Sequence, residues 1–484
     1  MIKYQCSGWL KYKKGSSDLR GFTYTYDASG NITKIVTEGT NVPQAALTKE
    51  YTYDALGQLA TETNGGASRA YAYDTVGNIR SVTTDGAVIK SFGYTNPSWP
   101  DLLTSVTVGG TTKDILYEGQ TQTSDVPSSG NPVTYYNGKD YTFTWTKGRQ
   151  LASATVDGKQ ISYTYDMSGV RTSKTVDGTT YNYTTLSGKV MRQTWGNKSL
   201  EFVYDDGSQP FAMIYKHGSE TELYYYLVNA QGDVSAILDS SGRLAASYDY
   251  DAWGNCTVYD SSAKVLTDPT SIANLNPLRY RGYYYDAETG FYYLQSRYYD
   301  PVICRFINAD TFATTDANGF LSANMFAYCE NNPIMRVDAD GEIWNVIAGA
   351  VIGAGLEVLG QLMTGTKFAD INWGSVAMEG ALGAVSSLGI PARITSKLGK
   401  VAFTAFKDVV IPTTVEVRSQ IKTNKRVNYT KTAITASKAS INSAVTAGTD
   451  RLLKSTSSRM AKAVVHSTRQ LFFFTFGLIS KFWR

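Results

Sequence analysis

The chain has 484 residues, enough for more than one folded unit, and its formal net charge is only +4. Residues 342–484 hold 18 basic and 7 acidic side chains, a net charge of +11. Residues 1–341 hold 28 basic and 35 acidic side chains, a net charge of −7. Four cysteines make no disulfide framework at this length, and two histidines exclude a histidine-rich metal site. We expect an acidic N-terminal part and a basic C-terminal part, whose surfaces are either electrostatically complementary or unrelated. We expect no cofactor and no bound metal.

A tyrosine-rich repeat dominates the first 260 residues, with the pattern Φ-x-Tyr-Asp-x-x-Gly-Asn/Gln-Φ, where Φ is apolar or aromatic. Alternating aromatic and threonine positions predict a strand with one buried face, and the Asp and Gly predict a tight turn. A second alternating run returns antiparallel, so each unit is a β-hairpin and successive hairpins form one long sheet. The tyrosines are expected to pack against one another and the aspartates to make turns. Clear copies begin at Tyr24, Tyr51, Tyr71, Tyr163 and Tyr248.

Residues 276–341 are unusually dense in Tyr, Arg and Asp and separate the repeats from a tail of different composition. Their motif blocks are Arg279-Tyr280-Arg281-Gly282, Tyr285-Asp286, Glu288-Thr289-Gly290, Arg297-Tyr298-Tyr299-Asp300-Pro301, Arg305-Phe306-Ile307 and Asn331-Asn332-Pro333. In this order and spacing the blocks resemble the RHS-associated core of RHS/YD-repeat proteins, the bacterial relatives of toxin-complex shells and of teneurins. With the repeats included, the resemblance covers residues 21–341 and leaves out the tail.

The tail, residues 342–484, is rich in Ala, Lys and Ser and predicts a mostly helical region. Residues 344–363 approach the length of a bilayer span and contain Gly349-x-x-x-Gly353, so they form either a transmembrane segment or a buried helix. Residues 430–465 predict a basic amphipathic helix. No catalytic constellation is visible, and the positive charge could serve nucleic acid or an anionic membrane, the latter fitting slightly better.

The resemblance implies a mainly β fold, in which an antiparallel YD-repeat hairpin sheet curls into a spiral shell, followed by a mostly α C-terminal region. Three parts are expected. Residues 1–260 would form a YD/RHS repeat β-shell segment, residues 261–341 the RHS-associated core, and residues 342–484 a variable helical tail that serves as the toxin.

The resemblance predicts an RHS-type polymorphic toxin fragment of bacterial origin whose shell encapsulates its own tail, with an immunity protein as a further partner. Two alternatives stay open: a YD-repeat surface adhesion protein that binds carbohydrate or protein partners, and a truncated, non-functional gene tip. Residues 1–15 contain no secretory leader, so secretion or surface display would use a route not visible in this sequence.

Related shells cut themselves at the end of the core with two aspartates, which the resemblance places at Asp310 and Asp338. In such an intramolecular aspartic autoprotease one carboxylate deprotonates water, and the other, protonated, polarises the scissile carbonyl. The resemblance also assigns Arg305 as the arginine beside the pair. The cut is expected just after Gly341, near Glu342 or Ile343.

Several residues around this site depart from the family pattern. Ala339 stands where the family has the proline that would fix the backbone, Glu342 stands in place of a leucine, and Cys304 in place of a glycine. Asp316, in a long insertion, is a rival first aspartate. The alternative is an inactive site in which Asp338 caps a turn and Asp310 is a loop residue, so enzymatic activity is left open.

Overall fold

The computed structural model describes residues 2–6, 8–42, 47–120, 127–205, 208–310, 324–338, 341 and 344–345. These residues are mainly β, as the repeats predict, and form two large antiparallel sheets, a four-stranded sheet and a two-stranded ladder. The hairpins thus divide between two sheets, and the expectation of one long continuous sheet was wrong. The predicted tail helices lie outside the described residues. Within the described ranges, no helix is long and apolar enough to cross a membrane.

The first sheet has eleven strands in chain order, because each repeat folds as a local hairpin. In the turn after β5, the carboxylate of Asp54 accepts the backbone N–H groups of Leu56 and Gln58, both at 2.9 Å. Gly57 supplies the positive φ of 79° that this turn requires. The strands are β1 (Ile2–Cys6), β2 (Trp9–Lys14), β3 (Ser17–Tyr26), β4 (Ile32–Glu38), β5 (Leu47–Tyr53), β6 (Leu59–Asn64), β7 (Ala67–Tyr73), β8 (Ile79–Thr84), β9 (Ala87–Gly93), β10 (Ser105–Val108) and β11 (Thr111–Asp114).

The second sheet has fourteen strands and the same sequential, antiparallel order. Its repeat turn at Asp166 is built like the one at Asp54, with Asp166 Oδ1 accepting the N–H groups of Ser168 and Val170. The strands are β12 (Leu116–Tyr117), β13 (Pro132–Tyr136), β14 (Asp140–Thr146), β15 (Gln150–Val156), β16 (Lys159–Tyr165), β17 (Arg171–Val176), β18 (Thr179–Leu186), β19 (Lys189–Trp195), β20 (Lys198–Tyr204), β21 (Pro210–His217), β22 (Glu220–Val228), β23 (Val234–Asp239), β24 (Leu244–Tyr250) and β25 (Cys256–Tyr259).

The repeat tyrosines form the interior of both sheets, as the alternating pattern predicts. The first tyrosine of each clear repeat is buried, and the second, directly before the aspartate, donates its hydroxyl to a backbone carbonyl of an earlier strand in most copies. The Tyr73 hydroxyl, for example, lies 2.7 Å from the Leu59 carbonyl oxygen. Each such bond contributes about 1 kcal/mol net, so the ladder ties neighbouring hairpins together.

The early strands of the first sheet lie against the late strands of the second. The Tyr12 hydroxyl donates to the Val228 carbonyl at 2.8 Å, and Lys49 Nζ lies 2.6 Å from a carboxylate oxygen of Asp249. The buried aromatic side chains of both sheets therefore belong to one shared hydrophobic core, which keeps them away from water.

The segment that follows the sheets packs against both of them. Asp286 is fully buried and pairs with Arg171 at 2.5 Å and Lys174 at 2.9 Å, both on β17. The Asn331 side-chain amide donates to the Gly77 carbonyl at 2.7 Å, in a repeat turn of the first sheet. The elements are α1 (Ile272–Leu275), a 3₁₀ turn (Tyr280–Gly282), β26 (Tyr284–Asp286), β27 (Phe291–Tyr293), β28 (Tyr298–Asp300), β29 (Arg305–Phe306), a second 3₁₀ turn (Cys329–Asn331), β30 (Val337–Asp338) and β31 (Trp344–Asn345).

Candidate active site

Asp310 and Asp338, the two aspartates singled out from the sequence, both contact one nitrogen of the same arginine. Arg297 Nη2 is 3.1 Å from Asp310 Oδ2 and 3.4 Å from Asp338 Oδ2. The backbone N–H of Asp310 donates to the Met325 carbonyl at 2.9 Å, and that of Asp338 donates to the Tyr283 hydroxyl at 3.1 Å. The fold thus brings two carboxylates from separate segments onto a single guanidinium.

Gly341, where the sequence predicts the cut, belongs to the same cluster. Its N–H donates to Asp338 Oδ1 at 2.8 Å, and its carbonyl oxygen accepts a hydrogen bond from Arg297 Nε. Strands β30 and β31 pair with each other, with Asp338 opposite Trp344, so the chain reverses direction around Gly341. The carbonyl at the expected cleavage point is therefore bound by the same side chain that binds both aspartates.

The backbone at Gly341 leaves no room for a side chain. Its φ is +78°, and a Cβ there would lie 2.7 Å from Ser296 Oγ and 2.8 Å from the Leu294 carbonyl oxygen. Both contacts come from the loop between β27 and β28 that also carries Arg297. Glycine at this position allows the peptide to approach the arginine closely.

Arg297 is held rigidly in a mostly buried environment. Its guanidinium carbon lies 3.6 Å from the centroid of the Phe306 ring, and Nη1 donates to the Met325 carbonyl at 3.2 Å. The side chains of Asp310 and Asp338 are 15% and 4% exposed. Because water is largely excluded, the charges interact more strongly than they would on an exposed surface.

Arg305, assigned to the pair from the sequence, has other partners. Its Nη1 donates to the Tyr94 hydroxyl and its Nη2 to the Asp101 carbonyl, both at 2.7 Å, and the guanidinium packs on the Phe326 ring. The arginine that the structure places on both aspartates is Arg297. The motif Arg297-Tyr298-Tyr299-Asp300-Pro301 was visible in the sequence, but nothing local showed which arginine the fold would turn toward Asp310.

Other residues from the sequence prediction are placed differently or lie outside the described part. Asp316, Ala339, Glu342 and Ile343 are outside the described residues. Cys304 is buried in the core. Cys329 lies near Asp338, and burial, reinforced by the charge of that carboxylate, raises the pKa of its thiol. Neither cysteine is therefore poised as a thiolate nucleophile.

Comparison with known proteins places the described fold in a family. The family model described as Teneurin YD-shell matches residues 9–334. The tRNA(Glu)-specific nuclease WapA of Bacillus subtilis subsp. natto is 35% identical over 228 residues, which cover 45% of this chain and 9% of that protein. The tRNA3(Ser)-specific nuclease WapA of Bacillus spizizenii is 39% identical over 174 residues, 34% of this chain and 7% of that protein. The chain thus spans less than a tenth of the length of these two relatives.

A solved structure with similarity to this chain is the crystal structure of TcdB2-TccC3-TEV. It has a TM-score of 0.49 and 20% sequence identity, and the match covers 69% of this chain and 17% of that one. The family model, in contrast, spans the repeats of both sheets and most of the core segment that carries Arg297 and Asp310. On that match, the chain belongs to the YD-shell family of teneurins and RHS/YD-repeat proteins.

Proposed function

We propose that the protein is the shell and core of an RHS-type polymorphic toxin, which encloses residues 342–484 and cuts itself beside Gly341. Membership of the YD-shell family and similarity to two WapA nucleases support the toxin assignment. The observation that carries the self-cleavage proposal is the set of contacts that Arg297 makes with Asp310, Asp338 and the Gly341 carbonyl.

In the proposed reaction, one carboxylate of the pair takes a proton from a water molecule, whose oxygen then bonds to the carbonyl carbon of Gly341. The bond from that carbon to the nitrogen of Glu342 breaks, and the other, protonated carboxyl group donates its proton to the leaving nitrogen. Arg297, already hydrogen-bonded to the carbonyl oxygen, stabilises the negative charge that develops there. The products are a new carboxyl terminus at Gly341 and a new amino terminus at Glu342.

The second sheet contributes to the position of Asp310. Arg149, in the turn between β14 and β15, has its Nη1 3.8 Å from Asp310 Oδ1. The N–H of the neighbouring Ala309 donates at 3.2 Å to the carbonyl of Gly130, which lies two residues before β13. Because these contacts require the folded sheet, we expect cleavage to follow folding of the shell, so that the tail is released only after it has been enclosed.

The test is the intact mass of the purified chain. Cleavage after Gly341 would divide the 53.0 kDa chain into about 37 and about 16 kDa, in proportion to residue number. Asp338→Asn and Asp310→Asn should each leave the chain whole, and Asp316→Asn is the matched control that should still be cut. A chain that stays intact in the unsubstituted protein, or is cut equally in Asp338→Asn, would overturn the self-cleavage proposal.

Enclosure of the tail is tested separately from the cut. After cleavage the two fragments should elute together in size-exclusion chromatography at native pH and separate only in denaturant.

Co-expression with the product of an adjacent small gene should restore growth if the tail is toxic, which tests the proposed immunity partner. Secretion or surface display, and binding of the basic tail to membrane or nucleic acid, are further parts of this proposal.

The adhesion alternative has less support from the described residues. Carbohydrate sites use exposed aromatic faces, whereas Tyr51, Tyr71 and Tyr163 are 4%, 7% and 6% exposed. Their rings line the shared interior of the two sheets rather than an outer face.

A further inference from the structure

The hairpin formed by β21 and β22 carries a compact group of three ligand-type side chains far from the candidate active site in sequence. His217 Nε2 lies 3.5 Å from Glu220 Oε2 and 3.4 Å from Glu222 Oε1. The ligand atoms of all three residues lie within 4.8 Å of one another. His217 pairs with Glu220 at the end of the hairpin, and strand alternation puts Glu222 on the same face as Glu220.

The two separations from His217 Nε2 to the carboxylate oxygens match those in a tetrahedral metal site, and the two carboxylate oxygens lie within 4.8 Å of each other. Zn²⁺ binds histidine nitrogen and carboxylate oxygen at about 2.0–2.2 Å, so neighbouring ligand atoms in a regular tetrahedron lie about 3.3–3.6 Å apart. Both distances from His217 Nε2 fall in that range. They are longer than the usual imidazole–carboxylate hydrogen bond of about 2.7–3.2 Å. The side chains therefore converge at a spacing that suits a shared cation better than a direct hydrogen bond.

Two neighbouring tyrosines orient the ligands. Tyr215 stacks on the His217 ring, with centroids 4.5 Å apart and planes inclined by 26°. The Tyr224 hydroxyl donates to Glu222 Oε2, which leaves Oε1 directed at His217. Such outer contacts are the usual means by which metal ligands are held in position before the ion binds. The group was not visible in the sequence because a lone histidine carries little signal until the hairpin register is known.

We propose that His217, Glu220 and Glu222 bind one divalent transition-metal ion, Zn²⁺ by preference, with the fourth position open to water. The mixed imidazole and carboxylate donor set suits this ion, and a site with three protein ligands leaves one coordination position open. Binding clamps the end of the β21–β22 hairpin. The site is independent of the proposed self-cleavage, because its three ligands contact none of the residues assigned to that reaction.

The experiment titrates Zn²⁺ into the full, chelator-treated and reduced chain by isothermal titration calorimetry. We expect one site per chain, lost in His217→Ala and in Glu222→Gln, and a higher melting temperature with Zn²⁺ that both variants lack. His466→Ala is the matched control, because it removes the second of the two histidines and should retain binding. X-ray absorption should show nitrogen and oxygen ligands without sulfur, which separates this site from the cysteines.

The melting temperature without metal separates loss of metal binding from loss of the fold. The melting temperature of each variant without metal should stay near that of the unsubstituted chain, since His217, Glu220 and Glu222 are partly or largely exposed. Absence of Zn²⁺ binding, unchanged binding in His217→Ala, or sulfur ligands in the absorption spectrum would each overturn the proposal. None of these results bears on cleavage at Gly341, so the two proposals fail separately.

Discussion

Glu62 makes the stability of the shell depend on pH in an unusual direction. The side chain is fully buried; Oε1 accepts the Ala252 N–H at 2.7 Å, and Oε2 lies 3.6 Å from Arg69 Nη1. Burial, with a smaller contribution from the charge of Asp251, raises the pKa of Glu62 from 4.5 to about 8, although Lys49 and Arg69 act in the opposite direction. The carboxyl group is therefore largely protonated in the folded chain at neutral pH.

The sign of the effect follows from proton linkage. The folded chain holds the Glu62 proton more tightly than the unfolded chain, so its contribution to stability is complete below pH 4.5 and is lost as the pH rises through 8. At about 1.4 kcal/mol per pH unit, the full loss across the interval between the two pKa values is roughly 5 kcal/mol. Glu62→Gln keeps an oxygen that can accept the Ala252 N–H but does not titrate, so it should be more stable than the unsubstituted chain at pH 8.

The assay is the urea unfolding midpoint at pH 5, 6.5 and 8 for three chains: unsubstituted, Glu62→Gln and Glu50→Gln. Glu50 is exposed on neighbouring strand β5, where it pairs with Lys34, so its substitution should change the midpoint little at any of the three pH values. The advantage of Glu62→Gln should grow steadily with pH. An advantage that is constant or shrinks from pH 5 to pH 8 would refute the linkage argument.

Three further outcomes are expected. Asp286→Asn leaves the buried cations Arg171 and Lys174 without their main counter-charge, so it should lower the unfolding free energy by about 3–5 kcal/mol. Chemical denaturation measures this loss, and the control Asp268→Asn, at an exposed aspartate, should not show it. Gly341→Ala places a Cβ against Ser296 and requires an unfavourable φ that costs about 1–2 kcal/mol, so cleavage should be slower. The intact mass followed over time measures the rate. An unchanged rate would contradict the close approach of the Gly341 peptide to the loop that carries Ser296. Arg149→Gln should slow cleavage less than Arg297→Gln, and equal or reversed effects measured by the same time course would contradict the assigned contacts.

The hairpins could be predicted from the sequence because their specificity is local. A repeat aspartate accepts N–H groups two and four residues ahead, as Asp54 does from Leu56 and Gln58, and the following glycine completes the turn. The alternation before each aspartate likewise decides which face of the strand is buried. The mainly β fold could therefore be predicted from the local pattern, whereas the family was indicated by the motif blocks of residues 276–341.

The candidate site depended on contacts between distant segments. Both aspartates could be selected from their motifs, but the sequence did not distinguish Arg297 from Arg305. Each arginine is followed directly by an aromatic residue, and the two lie eight positions apart. Which of them reaches Asp310 is decided by the packing of the β27–β28 loop against Gly341, while Arg305 is taken by Tyr94 and Asp101 of the first sheet.

The same distinction applies to Glu62 and to His217. Glu62 has ordinary neighbours along the chain, and only the meeting of the two sheets buries it beneath the Ala252 N–H. His217 meets Glu222 only because the hairpin register places them diagonally across from each other. Short-range hydrogen bonds and side-chain alternation were thus sufficient to determine the strands, whereas the charges inside the shell were placed by long-range packing that no local pattern encodes.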